Sequence, residues 1–229
     1  MPNHQQPGSN RPVNTHKEKV DTTDDKEAAR CPSKKELMSG KMIDPLDIEH
    51  NSTVGEFIEN VFGASGFNAR RLAEAARIWK KMVTKEATVC LTLAGAMTPI
   101  GMSGPVISLL KKGFVDFIIS TGANLYHDLH RAYGYPVKQG SFSIDDQCLY
   151  DAGVVRIYDT FIEEDDTLLA TDHCIVEAAK KVEGQKACST ADFHKTLGEV
   201  VRKTAPHPER SLLAQAAESD VPVYCSALG

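Results

Sequence analysis

Thr88-Val89-Cys90-Leu91-Thr92-Leu93-Ala94-Gly95-Ala96-Met97-Thr98 and, further along, Val115-Asp116-Phe117-Ile118-Ile119-Ser120-Thr121-Gly122-Ala123-Asn124 follow one plan. Each is a short, nearly unbroken run of apolar and β-branched residues ending in a turn of small residues, the pattern of a strand buried on both faces. Between them Val106, Ile107, Leu109 and Leu110 form the apolar stripe of a helix that stops at Gly113. A strand–helix–strand unit of this kind closes right-handed and pairs its strands in parallel. The predicted fold is therefore α/β, a Rossmann-like, doubly wound and mostly parallel sheet with helices on both faces.

Upstream, Val54, Phe57, Ile58, Val61 and Phe62 recur at helical spacing up to Gly63, and after Gly66 a longer helix carries Leu72, Ala75, Ala76, Trp79, Met82 and Val83 as one apolar stripe. Trp79 reads there as core filler. Downstream, Val154 to Tyr158 reads as a third strand and Val221 to Cys225 as a fourth. Helices are expected over 163–182 and over 190–203, the second opening on Ser189-x-x-Asp192 as a capping box and ending before Pro206 and Pro208. Leu212, Leu213, Ala216 and Ala217 mark one more short helix. Residues 1–42 mix Asn, Gln, Pro, Ser, Lys and Asp with almost no apolar periodicity, so a disordered polar tail is expected there and a domain over 43–229.

The composition of the 229 residues, 41% hydrophobic and 25% charged, is that of a globular protein and excludes collagenous and disulfide-scaffold classes. No apolar run is long enough for a membrane span, and the polar N-terminus lacks a signal-peptide core, so a cytoplasmic protein is expected. The six cysteines include no C-x-x-C pair; Cys90 and Cys225 lie in strand-like runs and read as small core hydrophobes. A net charge of −5 argues against nucleic acid as the main partner. Between Asp145 and Glu177 ten acids face the single base Arg156. Acids at 163–166 suit the start of a helix, and the same window could also attract a polycation or a basic protein.

In an open α/β sheet, ligands bind beyond the carboxyl ends of the strands, where small residues let backbone amides approach phosphate. Gly95-Ala96-Met97-Thr98-Pro99 and Thr121-Gly122-Ala123 offer two such ends. Neither spells G-x-G-x-x-G nor a P-loop, and ordinary tight turns account for them as well. His127 and His130 at i, i+3 could face one way, but a metal site would want a third ligand and an open position. His173 and His194 have no companion motif.

Leu91-Thr92-Leu93-Ala94-Gly95-Ala96-Met97-Thr98 and Phe114-Val115-Asp116-Phe117-Ile118-Ile119-Ser120-Thr121-Gly122-Ala123-Asn124-Leu125 resemble the deoxyhypusine synthase family, in its deoxyhypusine synthase-like branch. The likeness runs from Val54 to Gly229 and takes in Phe67-Asn68-Ala69-Arg70 and the final Pro222-Val223-Tyr224-Cys225-Ser226-Ala227-Leu228-Gly229. It implies an NAD-dependent aminobutyl transfer: NAD takes a hydride from spermidine or a related polyamine, the imine loses diaminopropane, and an enzyme lysine holds the butylimine. The group then passes to a lysine of a basic translation factor or, in homospermidine-forming relatives, to putrescine. By position, Gly95, Ala96, Met97, Thr98 and Pro99 would line one side of the dinucleotide and Thr121, Gly122 and Ala123 the other.

Tyr126 and His127 stand where eukaryotic members carry two glutamates, which places His127 beside the cofactor without a charge-assisted acceptor. The resemblance also implies a tetramer, as a homo- or hetero-oligomer. It further implies that the imine-forming lysine belongs to a C-terminal part missing from this chain, leaving the sheet incomplete at its C-terminus. Lys111, Lys138 and Lys195 lie in no apolar context that would depress an amine. The alternatives are an inactive subunit that supports an active paralogue, and a plain α/β binding domain.

Overall fold

The computed structural model describes residues 32–48, 50–85, 87–182 and 188–226, in two units, 1–45 and 46–229. The expected tail lies mostly outside the described residues. In the first unit Ser33 and Glu36 cap one short exposed helix, α1 (Lys34–Leu37), the Glu36 carboxylate accepting from the Ser33 amide at 2.6 Å.

The second unit opens with α2 (Val54–Glu56), whose capping box pairs Thr53 with Glu56. It continues as a π-helical segment, Phe57–Phe62, instead of the regular helix the spacing predicts. Widening the turn brings residues five apart toward one another, and the Phe57 and Phe62 rings meet edge to face at 4.9 Å. Then comes α3 (Phe67–Thr84), where Ala73 alone is buried and Leu72 is 51% exposed. This corrects the expectation of a core-facing stripe: Ala76, Trp79 and Val83 line an open apolar groove with Leu109 and Phe114.

The strand–helix–strand unit is present as β1 (Cys90–Leu93), α4 (Ser103–Lys111) and β2 (Phe117–Ser120), paired in parallel with Leu93 opposite Ser120. After α5 (Gly122–Tyr133) the chain leaves this sheet. β3 (Val137–Gln139), α6 (Asp146–Asp151), β4 (Val154–Ile157) and β5 (Thr160–Glu163) follow, and the strands form a separate antiparallel sheet in the order β3-β5-β4. The expected third parallel strand is thus one arm of a hairpin. The helix expected from Glu163 is a π-helical turn, Glu164–Leu169, leading into α7 (Ala170–Val182). Its first turn holds Glu164, Asp165 and Asp166, as the macrodipole favours.

α8 (Thr190–Thr204) starts on the expected Ser189–Asp192 capping box, and α9 (Leu212–Glu218) precedes β6 (Val223–Cys225). β6 lies parallel to β2 on the side away from β1, giving the order β1-β2-β6. Among the described residues β1 is therefore an edge strand, and Cys90 and Thr92 are exposed; burial on both faces and a core role for Cys90 do not hold, whereas Cys225 is buried. The core joins Ile118 and Val223 of the sheet to Leu125 and Leu129 of α5 and to Val201, Leu212 and Leu213 of α8 and α9. Gly198 lets α8 and α9 touch, because a Cβ there would lie 2.4 Å from the Leu213 carbonyl oxygen.

Candidate functional site at the carboxyl ends of β1 and β2

Parallel pairing of β1 with β2 sets their two following turns side by side, and Asn124 binds one to the other. Its buried side chain accepts from the Met97 amide at 2.7 Å and the Thr98 amide at 3.3 Å, and donates to Leu93 O at 3.3 Å. Thr98 Oγ1 donates back to Asn124 O at 2.7 Å. Arg131, two turns along α5, donates to Pro99 O at 2.6 Å. Met97, Thr98 and Pro99 are therefore held from behind, with Thr98 and Pro99 buried. Gly95 makes the turn at φ +68°, a left-handed conformation that suits glycine.

Thr121 is the N-cap of α5, yet its hydroxyl donates to Gly95 O at 3.1 Å and does not cap the helix. The first amides of α5, at Gly122 and Ala123, are thus left without an acceptor among the described residues. They open onto a cleft of about 350 Å³ whose other walls are apolar, chiefly Tyr126, Ile175 and Phe193, with His194 beside them. An uncapped helix start attracts an anion, and apolar walls accept a flat ring.

Tyr126 Oη lies 2.9 Å from the Asp172 carboxylate and 3.0 Å from Leu168 O, so its proton is held by the α7 side of the cleft. Burial first, then Asp172, pushes the phenol well above its ordinary range. His194 Nδ1 donates to Val223 O at 3.2 Å; burial lowers this imidazole's pKa, outweighing the backbone carbonyls of Val223 and Thr190, which favour its charged form. None of Ile175, Phe193 and His194 was singled out for the site from the sequence. They come from α7 and α8, and no local motif could have pointed to them.

The i, i+3 spacing does bring His127 and His130 together, with ring centroids 5.0 Å apart at 82°. Among the described residues no three His, Cys, Asp or Glu side chains are grouped to hold a metal ion. His127 is not among the residues lining the cleft, and burial holds its pKa below the ordinary value. Asp128 between them is structural: fully inside, it accepts from Ser211 Oγ at 2.6 Å, Leu212 N at 2.7 Å and Leu213 N at 3.0 Å, capping α9. Burial raises its pKa to about 6 even against those donors. Lys111 and Lys138 are exposed, and Lys195 pairs with Asp220 at 2.6 Å, which raises the amine's pKa.

The deoxyhypusine synthase family matches this chain over residues 56–229. A deoxyhypusine synthase-like protein of Nostoc sp. is 39% identical over 195 residues, covering 83% of this chain and 50% of the relative. A Methanosarcina mazei protein named "Probable deoxyhypusine synthase 2" is 37% identical over 186 residues, covering 80% of this chain and 52% of the relative. The chain thus spans about half the length of these curated relatives. A solved structure from Entamoeba histolytica, named as a "putative deoxyhypusine synthase", superposes with a TM-score of 0.53 at 17% identity, over 81% of this chain and 64% of that one, which supports the fold. With the paired turns, the α/β sheet and these matches together, the chain belongs to the deoxyhypusine synthase family.

Proposed function

We propose that this chain forms the dinucleotide-cradling part of an NAD-dependent aminobutyl transferase acting on spermidine or a related polyamine, with a protein lysine or a small amine as acceptor. The observation that carries the reading is the uncapped start of α5 at the mouth of an apolar cleft, beside a second turn that Asn124 holds in register. NAD, when bound, supplies the hydride acceptor. The Gly122 and Ala123 amides would hold its phosphates, the exposed Gly95 would let its backbone come close, and Tyr126 and Phe193 would flank a ring.

The cleft residues bind and orient; the covalent step needs a desolvated amine, and Lys111, Lys138 and Lys195 are exposed or paired with acid. That observation also favours the second reading, in which this polypeptide supports an active paralogue within an oligomer.

Isothermal titration of NAD into the purified chain tests the cradle. Ala123→Asp should weaken NAD at least tenfold while leaving the melting temperature unchanged or raised, because an acid in the first turn suits the helix but repels phosphate. Undetectable NAD binding by the wild type, or equal binding by the variant, would sink the proposal.

A further inference from the structure

Trp79 is the chain's one tryptophan, and it stands half-buried outside the core, in the groove between α3 and the end of α4. The groove has a volume of about 580 Å³, with Trp79, Val83, Leu109 and Phe114 as apolar walls and Lys80 and Thr84 as its polar members. Its floor is fixed. Leu109 packs on the core, Phe114 N donates to Leu109 O at 3.1 Å, and Gly113 in the turn between them sits at φ +66°. The α3 wall runs from Ala76 to Thr84 at helical spacing, a continuous stripe about 12 Å long.

Charge selects among the apolar molecules that such a groove admits. Lys80 lines it, is exposed, and forms no ion pair among the described residues. A lysine stem lies readily along an apolar wall while its ammonium stays in water. Thr84 Oγ1 is turned back onto Lys80 O at 2.8 Å, which leaves Lys80 to meet the head of a ligand. α3 as a whole carries Arg70, Arg71, Arg77, Lys80 and Lys81 against Glu74, and of these bases only Arg77 has an acid partner among the described residues, Glu59. Lys111 and Lys112 sit in the turn that Leu109 and Phe114 close, while Asp116, two residues on, is tied to the Val89 amide at 2.6 Å. An apolar trough with an unpaired cation in its lining complements an aliphatic chain that ends in an anion, and disfavours the same chain ending in a cation. A second copy docking through this groove would set the two Lys80 side chains and their basic neighbours against one another.

We propose that the α3–α4 groove is a binding site for a medium-chain aliphatic carboxylate, its chain against Trp79, Val83, Leu109 and Phe114 and its carboxylate on Lys80. The groove uses none of the residues of the α5 cleft, and the proposal stands whether or not a dinucleotide binds there.

The test uses the full 229-residue chain and sodium decanoate below its micelle concentration, read by the fluorescence of Trp79, with octanoate and decyltrimethylammonium bromide as comparisons. Decanoate should move the Trp79 emission to shorter wavelength and saturate. Octanoate, two methylenes shorter, should bind roughly tenfold more weakly. Decyltrimethylammonium, with the same chain and the opposite charge, should bind about fivefold more weakly than decanoate, and Lys80→Glu should reverse that preference. Ala76→Phe puts a ring into the groove and should abolish the decanoate response. Lys80 and Ala76 are both exposed, so both variants should melt near the wild type, which separates lost binding from lost folding. NAD titrations should be the same for both variants as for the wild type, so failure of this groove and failure of the cleft are read separately. An unchanged Trp79 emission, equal affinity for the two decyl head groups, or wild-type decanoate binding by Ala76→Phe would overturn the proposal. So would a wild-type dimer on sedimentation that Ala76→Phe dissociates, which would make the groove a contact between copies.

Discussion

His130 is the residue where burial and titration conflict most. It is completely buried, and neither ring nitrogen has a hydrogen-bond partner among the described residues. Burial, helped by His127 and Arg131, lowers its pKa to about 3. The unfolded chain takes up this proton below the ordinary 6.5 and the folded one only near 3, so the stability His130 contributes is present above pH 6.5 and is lost as pH falls toward 3. Asp128 acts in the opposite sense: its raised pKa favours the fold below 3.8, and that contribution is lost as pH rises through about 6. Asp128 is common to wild type and variant, so it cancels in their difference. Urea unfolding should therefore show His130→Leu near wild type at pH 7 and about 2 kcal/mol less acid-sensitive between pH 7 and pH 5. Equal acid sensitivity would show that His130 is charged inside the fold.

At the scale of elements, the parts legible in the sequence are those stabilised locally. The Ser189–Asp192 capping box starts α8 where predicted, and the strand–helix–strand unit stands because each piece carries its own periodicity and a glycine stop. β3 and β5 were missed. β3 is three residues long, and the β4–β5 turn spells Tyr-Asp where a hairpin is usually announced by Asn-Gly. The two π-helical segments followed apolar or acidic patterns that a regular helix explains equally well. The α8–α9 contact depends on one missing methyl. Gly198→Ala should cost about 1–3 kcal/mol, because the obstructing atom is a helix carbonyl oxygen that cannot move aside as a side-chain tip would. Chemical denaturation measures it, and an unchanged midpoint would mean that the helices can part without penalty.

For the whole molecule, what matters is which amphipathic faces find partners. α3 is amphipathic in sequence, yet its stripe lines an open groove, and β1 presents Cys90 and Thr92 to solvent at a sheet edge. Trp79→Ala should then cost no more than about 1 kcal/mol in the isolated chain, against the 3–5 kcal/mol of a core tryptophan. A loss in the core range would restore the predicted role of Trp79.

The sequence by itself determined the α/β class, the pair of βα turns and most helix positions, because periodicity, capping residues and glycine stops act over a few neighbouring residues. Only the tertiary structure decided that Asn124 laces the turns together, that Asp128 caps a helix more than eighty residues away, that β4 joins a separate sheet, and that Phe193 and His194 stand beside the start of α5. Those outcomes depend on hydrogen bonds and burial between segments far apart in the chain, whose energies no local pattern records.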